Sequence, residues 1–230
     1  MMKPMRVLAI DTALAVCAAA VLDTERPGMR AREVIPMQRG HAEALMPLIA
    51  QLMDAAKLEF SELDRIAVTT GPGSFTGLRV GIAAARGIAL AASKPAFGLS
   101  TLSAYAAPLI AKDDSIPVMA VIDARHGQVY LQVFGVGGRS IVLPRVAPIH
   151  EAVRLAPAGP VRIVGSAAGL VAAAWPEGQP APSLVEEHAA PEIDWVARLG
   201  AAAGIPAPPK PLYLRAADAQ PQDASRLARR

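Results

Sequence analysis

The sequence predicts an α/β protein made of two similar halves, and three observations lead there. Short apolar runs of strand length alternate with longer stretches of helical period. The order three strands, helix, strand, helix occurs twice, and each round opens on a strand that ends in aspartate, Asp11 or Asp123. The chain has 230 residues, 53% of them hydrophobic and 19% charged, enough to bury two cores of ordinary domain size.

In the first round, residues 7–10 are a continuous apolar run that stops at Asp11-Thr12. Residues 16–22 and 33–37 follow with turns and no helix between them, the pattern of an antiparallel meander. From 41 to 57 the period becomes helical: Leu45, Leu48, Ile49 and Leu52 form one apolar stripe, and Met46, Ala50 and Met53 a second beside it. Pro47 falls near the first turn of that helix. Residues 65–70 read as a buried strand, 75–92 as a long helix, 95–99 as a strand and 101–110 as a short helix.

The second round begins with a strand at 117–122 and turns through 124–127 into a strand at 128–134. A third strand at 140–143, a helix at 149–155, a strand at 161–164 and a helix at 166–174 complete it. Pro157, Pro160, Pro176, Pro180 and Pro182 mark loops, and 191–203 reads as a closing helix. Residues 216–230 mix Ala, Asp, Gln and Arg without period, which reads as a disordered tail. The expected division is a first domain over 1–102, completed by the closing helix at 191–204, and a second over 103–190.

Composition narrows the function. Four Phe, three Tyr and two Trp are too few for the stacking platforms of single-strand and RNA-binding folds. A net charge of +3 comes without a Lys/Arg cluster on one element, and the tail arginines Arg226, Arg229 and Arg230 are offset by Asp218 and Asp223. The single cysteine, Cys17, lies in an apolar run with no base near it and reads as a small buried hydrophobe. The four apolar residues before Asp11 are too few for a signal peptide, and no apolar run reaches membrane-spanning length, so a cytoplasmic chain is expected.

The most informative stretch is Gly71-Pro72-Gly73-Ser74-Phe75-Thr76-Gly77-Leu78-Arg79-Val80-Gly81, between a predicted strand and a predicted helix. Neither phosphate-binding template fits it. Thr76 and Gly77 stand where a Walker A loop needs Gly and Lys. A dinucleotide loop needs its third glycine one residue earlier and an acid further on, where this chain has Lys94. Nor is Gly73-Ser74-Phe75 a nucleophile elbow; Ser74 or Thr76 serves as a helix N-cap. Packing is the remaining use of these glycines: Gly77 and Gly81, continued by Ala84, Ala85 and Ile88, let another helix approach closely. Arg79 and Arg86, with Ile82 and Ala83 between them, form a charged-rimmed apolar strip that pattern alone does not separate from a solvated arginine face.

Taken together, Ala9-Ile10-Asp11-Thr12, His41-Ala42-Glu43, the 71–81 loop, Asp123-Ala124-Arg125 with Val129-Tyr130, and Pro211-Leu212-Tyr213-Leu214-Arg215 resemble the TsaB (YeaZ) family. The resemblance implies two duplicated actin/Hsp70-like domains of the ASKHA, ribonuclease-H-like class. It also implies a non-catalytic partner of the transferase TsaD which, with the ATPase TsaE, installs threonylcarbamoyl on tRNA adenosine.

The residues here agree with a chain that keeps no chemistry of its own. The catalytic paralogue places two histidines four apart for a metal; this chain has His41 and then Leu45, so His41 reads as a helix-end or interface residue. The first phosphate turn, Asp11 to Ala15, lacks glycine, and Arg125 fills the second. No cofactor and no metal is therefore expected, and a free-standing ATP-dependent kinase of the same superfamily is the alternative. The expected partners are a TsaD-like subunit in a heterodimer, a TsaE-like ATPase in a larger complex, tRNA indirectly, and a second copy when the chain is alone. The expected interface is Met46, Ile49, Ala50 and Met53 on the first long helix, with Phe75, Arg79, Ile82 and Arg86 on the second.

Overall fold

The structure, a computed structural model, describes residues 4–204 and 208–215. The tail at 216–230 and its arginines lie outside the described residues. An antiparallel meander of β1 (Arg6–Asp11), β2 (Val16–Asp23) and β3 (Met29–Pro36) leads through α1 (His41–Ala56), β4 (Arg65–Gly71) and α2 (Phe75–Ala92) to β5 (Ala96–Ser100). After α3 (Thr101–Lys112) comes a second meander, β6 (Val118–Asp123), β7 (Gln128–Phe134) and β8 (Ser140–Pro148). It continues through α4 (Ile149–Ala152), β9 (Arg162–Val164), α5 (Ala168–Ala173), β10 (Leu184–Glu186) and α6 (Ile193–Ala202).

The repeat read from the sequence is a structural one. Each half is a five-stranded mixed sheet of the same order, β3-β2-β1-β4-β5 and β8-β7-β6-β9-β10, with the meander antiparallel and the last two strands parallel to the first. Strand alternation sorts side chains between the faces of each sheet. Leu8, Ile10, Cys17 and Ile66 pack with α1 and α2, while Val7, Ala9, Ala18 and Ala67 pack with α6. In the second sheet Met119, Val121 and Ile163 face α4 and α5, and Val118, Ala120 and Ile122 face α3. α3 and α6 touch each other, so they form the inner layer between the sheets. We propose the division at 102 and 103, with 191–204 returned to the first half, for this architecture.

Several boundaries differ from the pattern-based reading, each for a physical reason. β3 starts at Met29, before the apolar run, and β8 runs on to Pro148 instead of stopping at 143. Both are edge strands made mostly of half-buried and exposed residues, so backbone pairing sets their length and hydropathy does not. The helix expected over 149–155 is one α turn followed by a 3-10 turn at Val153–Leu155. β10, three residues long, has too few side chains to show a period. α2 is long and apolar enough to cross a membrane by length and composition, yet Gly77, Leu78, Gly81, Ile82 and Ala85 bury one side of it in the first half.

Register refines the equivalence of the halves. Val7 pairs with Arg65 and Val118 with Arg162, so β1 and β6 align with Asp11 opposite Ile122; Asp123 lies one position further on. The paired arginines share a task that sequence reading missed. Arg65 Nη1 donates to Gly200 O, Ala201 O and Ala203 O at the C-terminus of α6. Arg162 donates to Leu109 O, Asp113 O and Ile116 O at and beyond the C-terminus of α3, at 3.0, 2.6 and 2.5 Å. A helix C-terminus leaves carbonyls unpaired and carries partial negative charge, so a guanidinium satisfies both needs. Arg162→Met leaves these buried carbonyls without their donors and is expected to lower unfolding free energy by roughly 3 kcal/mol; urea denaturation checks this, with Arg162→Lys recovering only part.

Candidate interaction surface and inter-sheet cleft

Beginning at the glycine loop, the residues that open α2 are packed against the β1–β2 turn. Ser74 N–H donates to Ala13 O at 2.7 Å, and the Thr12 hydroxyl donates to Gly77 O at 2.7 Å. A Cβ on Gly73 would collide with Ala13 O, one on Gly77 with Thr12 O, and one on Gly81 with Thr12 Oγ1. The glycines thus admit the chain's own turn and sheet, and the small-residue row expected to receive another helix faces inward instead. Ser74 is the N-cap of α2, its Oγ accepting from Gly77 N–H at 3.3 Å. His41 opens α1 and lies 3.1 Å, Nε2 to O, from Val16 of β2; Cys17 is buried, which pushes its thiol up.

Asp11 is fully buried. Its Oδ1 accepts from the Thr69 hydroxyl and from Ala13 N–H, and its Oδ2 has no partner among the described residues. Burial pushes its carboxyl up, against the pull of those two hydrogen bonds and of nearby His41. Asp123 is exposed and accepts from the Arg125 amide at 2.7 Å, an Asx turn in which Arg125 and His126 adopt φ of 62° and 53°.

Both turns border a cleft of about 520 Å³ whose lining includes Ala13, Arg39, Ser74, Asp123, Arg125 and Arg215. The fold class implies a magnesium-bound nucleotide here, and these residues do not fit one. The first turn's hydroxyl and the Ala13 carbonyl are bonded to α2, Asp11 is enclosed, and Arg125 projects from the second turn where a phosphate loop is glycine-rich. Among the described residues no group of three His, Cys, Asp or Glu is placed to hold a metal ion.

The expected interface residues separate into two sets. Met46 and Ala50 are exposed on α1, as are Phe75, Arg79 and Arg86 on α2. Ile49, Met53 and Ile82 are 0%, 2% and 4% exposed and belong to the first core, so they are not available as anchors. On α1 the first apolar stripe is buried toward the sheet and Met53 of the second joins it, while Met46 and Ala50 of the second face outward. On α2 the outward strip is Phe75, Arg79, Ala83 and Arg86; of the two residues expected between the arginines, Ala83 faces outward and Ile82 does not. The Arg79 guanidinium lies 3.7 Å from the Phe75 ring centroid, a cation–π contact the spacing alone did not show.

Two like-ordered sheets with two inner helices in contact and a cleft between their first turns define an α/β protein of the ASKHA class. An inorganic polyphosphate/ATP-glucomannokinase from Arthrobacter shares that fold at a TM-score of 0.53 and 11% identity, over 86% of this chain and 98% of that one. The family model described as TsaD, tRNA N6-adenosine threonylcarbamoyltransferase, matches residues 33–172, more than half of the chain. The tRNA threonylcarbamoyladenosine biosynthesis protein TsaB of Escherichia coli is 37% identical over 126 residues, 55% of this chain and 53% of that protein. The structure of YeaZ from Pseudomonas aeruginosa superimposes with a TM-score of 0.77 at 27% identity, covering 91% of this chain and 100% of that one. The chain belongs to the TsaB/YeaZ family. It spans about half the length of the curated TsaB relatives it matches.

Two measurements test this geometry. Gly77→Ala drives a methyl into the Thr12 carbonyl and is expected to cost about 3 kcal/mol, read by chemical denaturation. Because burial raises the Asp11 carboxyl, its stabilising contribution is complete below the unfolded value of about 4 and is lost as pH rises through the folded one. Asp11→Asn is therefore expected to gain in melting temperature over the wild type as pH rises from 4 to 8; a constant difference would contradict the assignment.

Proposed function

We propose that the chain is a non-catalytic interaction subunit of tRNA threonylcarbamoyladenosine synthesis that docks a TsaD-like transferase on the exposed face of α1 and α2. One observation carries this reading: Met46, Ala50, Phe75, Arg79, Ala83 and Arg86 stand outward on two neighbouring helices that cover one side of the first sheet. The occupant is argued from the family match, because the matching model describes the transferase itself and spans both helices. A surface shared by two related chains can pair about a pseudo-twofold axis, helix pair against helix pair, in a four-helix arrangement. By the same logic the face pairs with a second copy when the partner is absent, and the homodimer and heterodimer compete.

The cleft supports the non-catalytic half of the reading, since its first turn is bonded to the glycine loop and its second presents Arg125. In this reading a TsaE-like ATPase joins the larger complex in the cytoplasm, and tRNA is reached through the transferase. Ala50 is the residue to test, being small, exposed and central on α1. Ala50→Arg is expected to weaken binding to the host's TsaD homologue by about 30-fold or more while the melting temperature holds. Unchanged co-elution on a sizing column would sink the proposal. Ile49→Arg makes the contrast, since a buried unpaired charge unfolds the chain before it tests an interface.

A further inference from the structure

We infer that residues 208–215 act as a clasp: they hold the two halves together across the cleft and fix how α2 presents Phe75 and Arg79. This segment belongs to no helix or strand, so its place is set by a few specific contacts. Leu212 N–H donates to Thr70 O near the end of β4 at 2.8 Å. A Cβ at Gly71 would lie 2.9 Å from Leu212 O, so bare backbone is needed where the segment crosses. Tyr213 then reaches α2: its ring centroid is 4.9 Å from that of Phe75, and its hydroxyl accepts from Arg79 Nε at 3.1 Å. Arg215 crosses to the second half, where Nη1 donates to Ala124 O of the β6–β7 turn at 3.2 Å.

Leu212, Tyr213 and Arg215 therefore tie together the end of β4, the first two turns of α2 and the β6–β7 turn of the second sheet. Leu212, Tyr213, Leu214 and Arg215 also line the cleft. Any change in cleft width moves the two ends of the clasp apart or together, and Tyr213 lies between those ends. The arrangement of Phe75 and Arg79 is coupled to the cleft by that route. The consequence for partner docking rests on the function proposed above; the clasp itself rests on the contacts.

Hydrogen exchange by mass spectrometry on the full chain tests it without a partner. Tyr213→Ala removes one ring contact and one hydrogen bond, which corresponds to about tenfold faster exchange where the clasp is cooperative. The acceleration is expected at Leu212 and also at the Ala124 and Gln128 amides, which close the turn on the far side of the cleft. Amides of β1 and β6 should be unaffected, and Tyr213→Phe, which keeps the ring contact, should restore most of the protection. Acceleration confined to 208–215, or none at all, overturns the clasp. Arg215→Ala gives an independent reading from the other end, with the same two regions expected to respond together. A wild-type chain that fails to bind a TsaD homologue would remove the docking role and leave the exchange result standing; unresponsive turn amides would remove the clasp whatever the binding shows.

Discussion

The close approach of the glycine loop to the β1–β2 turn is the constraint on which the rest of the molecule depends. Thr12 and Ala13 use their carbonyl and hydroxyl oxygens on α2, and Gly73, Gly77 and Gly81 leave the room for it. With α2 seated there, Leu78, Ile82 and Ala85 enter the core and Phe75, Arg79 and Arg86 are left outside. The same seating removes the first turn's polar groups from the cleft. One packing contact thus occupies the first turn's polar groups and sets which residues of α2 stand outside.

Duplication explains much of what surrounds this contact. Both halves solve the same problem, an inner helix whose C-terminal carbonyls would be buried, with an arginine on the first residue of the fourth strand. The halves then diverge where they meet the cleft. Asp11 is enclosed and charged only against the cost of burial, while Asp123, one register position later, is exposed and shapes a turn. A motif that looks repeated in the sequence therefore carries two different environments.

How far the fold could be read depended on burial. Strands covered on both faces, such as β1 and β6, appear as continuous apolar runs, and α1 and α2 as long periodic segments, so their positions were legible. The edge strands β3 and β8 were read short because pairing, and not hydropathy, defines them. The helix faces were only partly legible. α1 buries Leu45, Leu48, Ile49, Leu52 and Met53 together, an arc wider than one stripe, so a second apolar stripe could not be told from an outward one. Ile82 and Ala83 are adjacent in sequence, and a turn of 100° per residue separates core from surface there.

Periodicity, the doubled element order and the glycine spacing are local properties of the chain, and they were enough for the fold class, the two halves and the family resemblance. What faces what is not local. The use of the glycines for the chain's own turn, the arginine caps on α3 and α6, the enclosure of Asp11 and the run of 208–215 from Thr70 to Ala124 all join residues between 46 and 142 positions apart, read from pairs such as Arg162–Ile116 and Leu212–Thr70. Contacts of that range are set by how the sheets and inner helices stack, because only the packed core brings those backbone groups within hydrogen-bond reach.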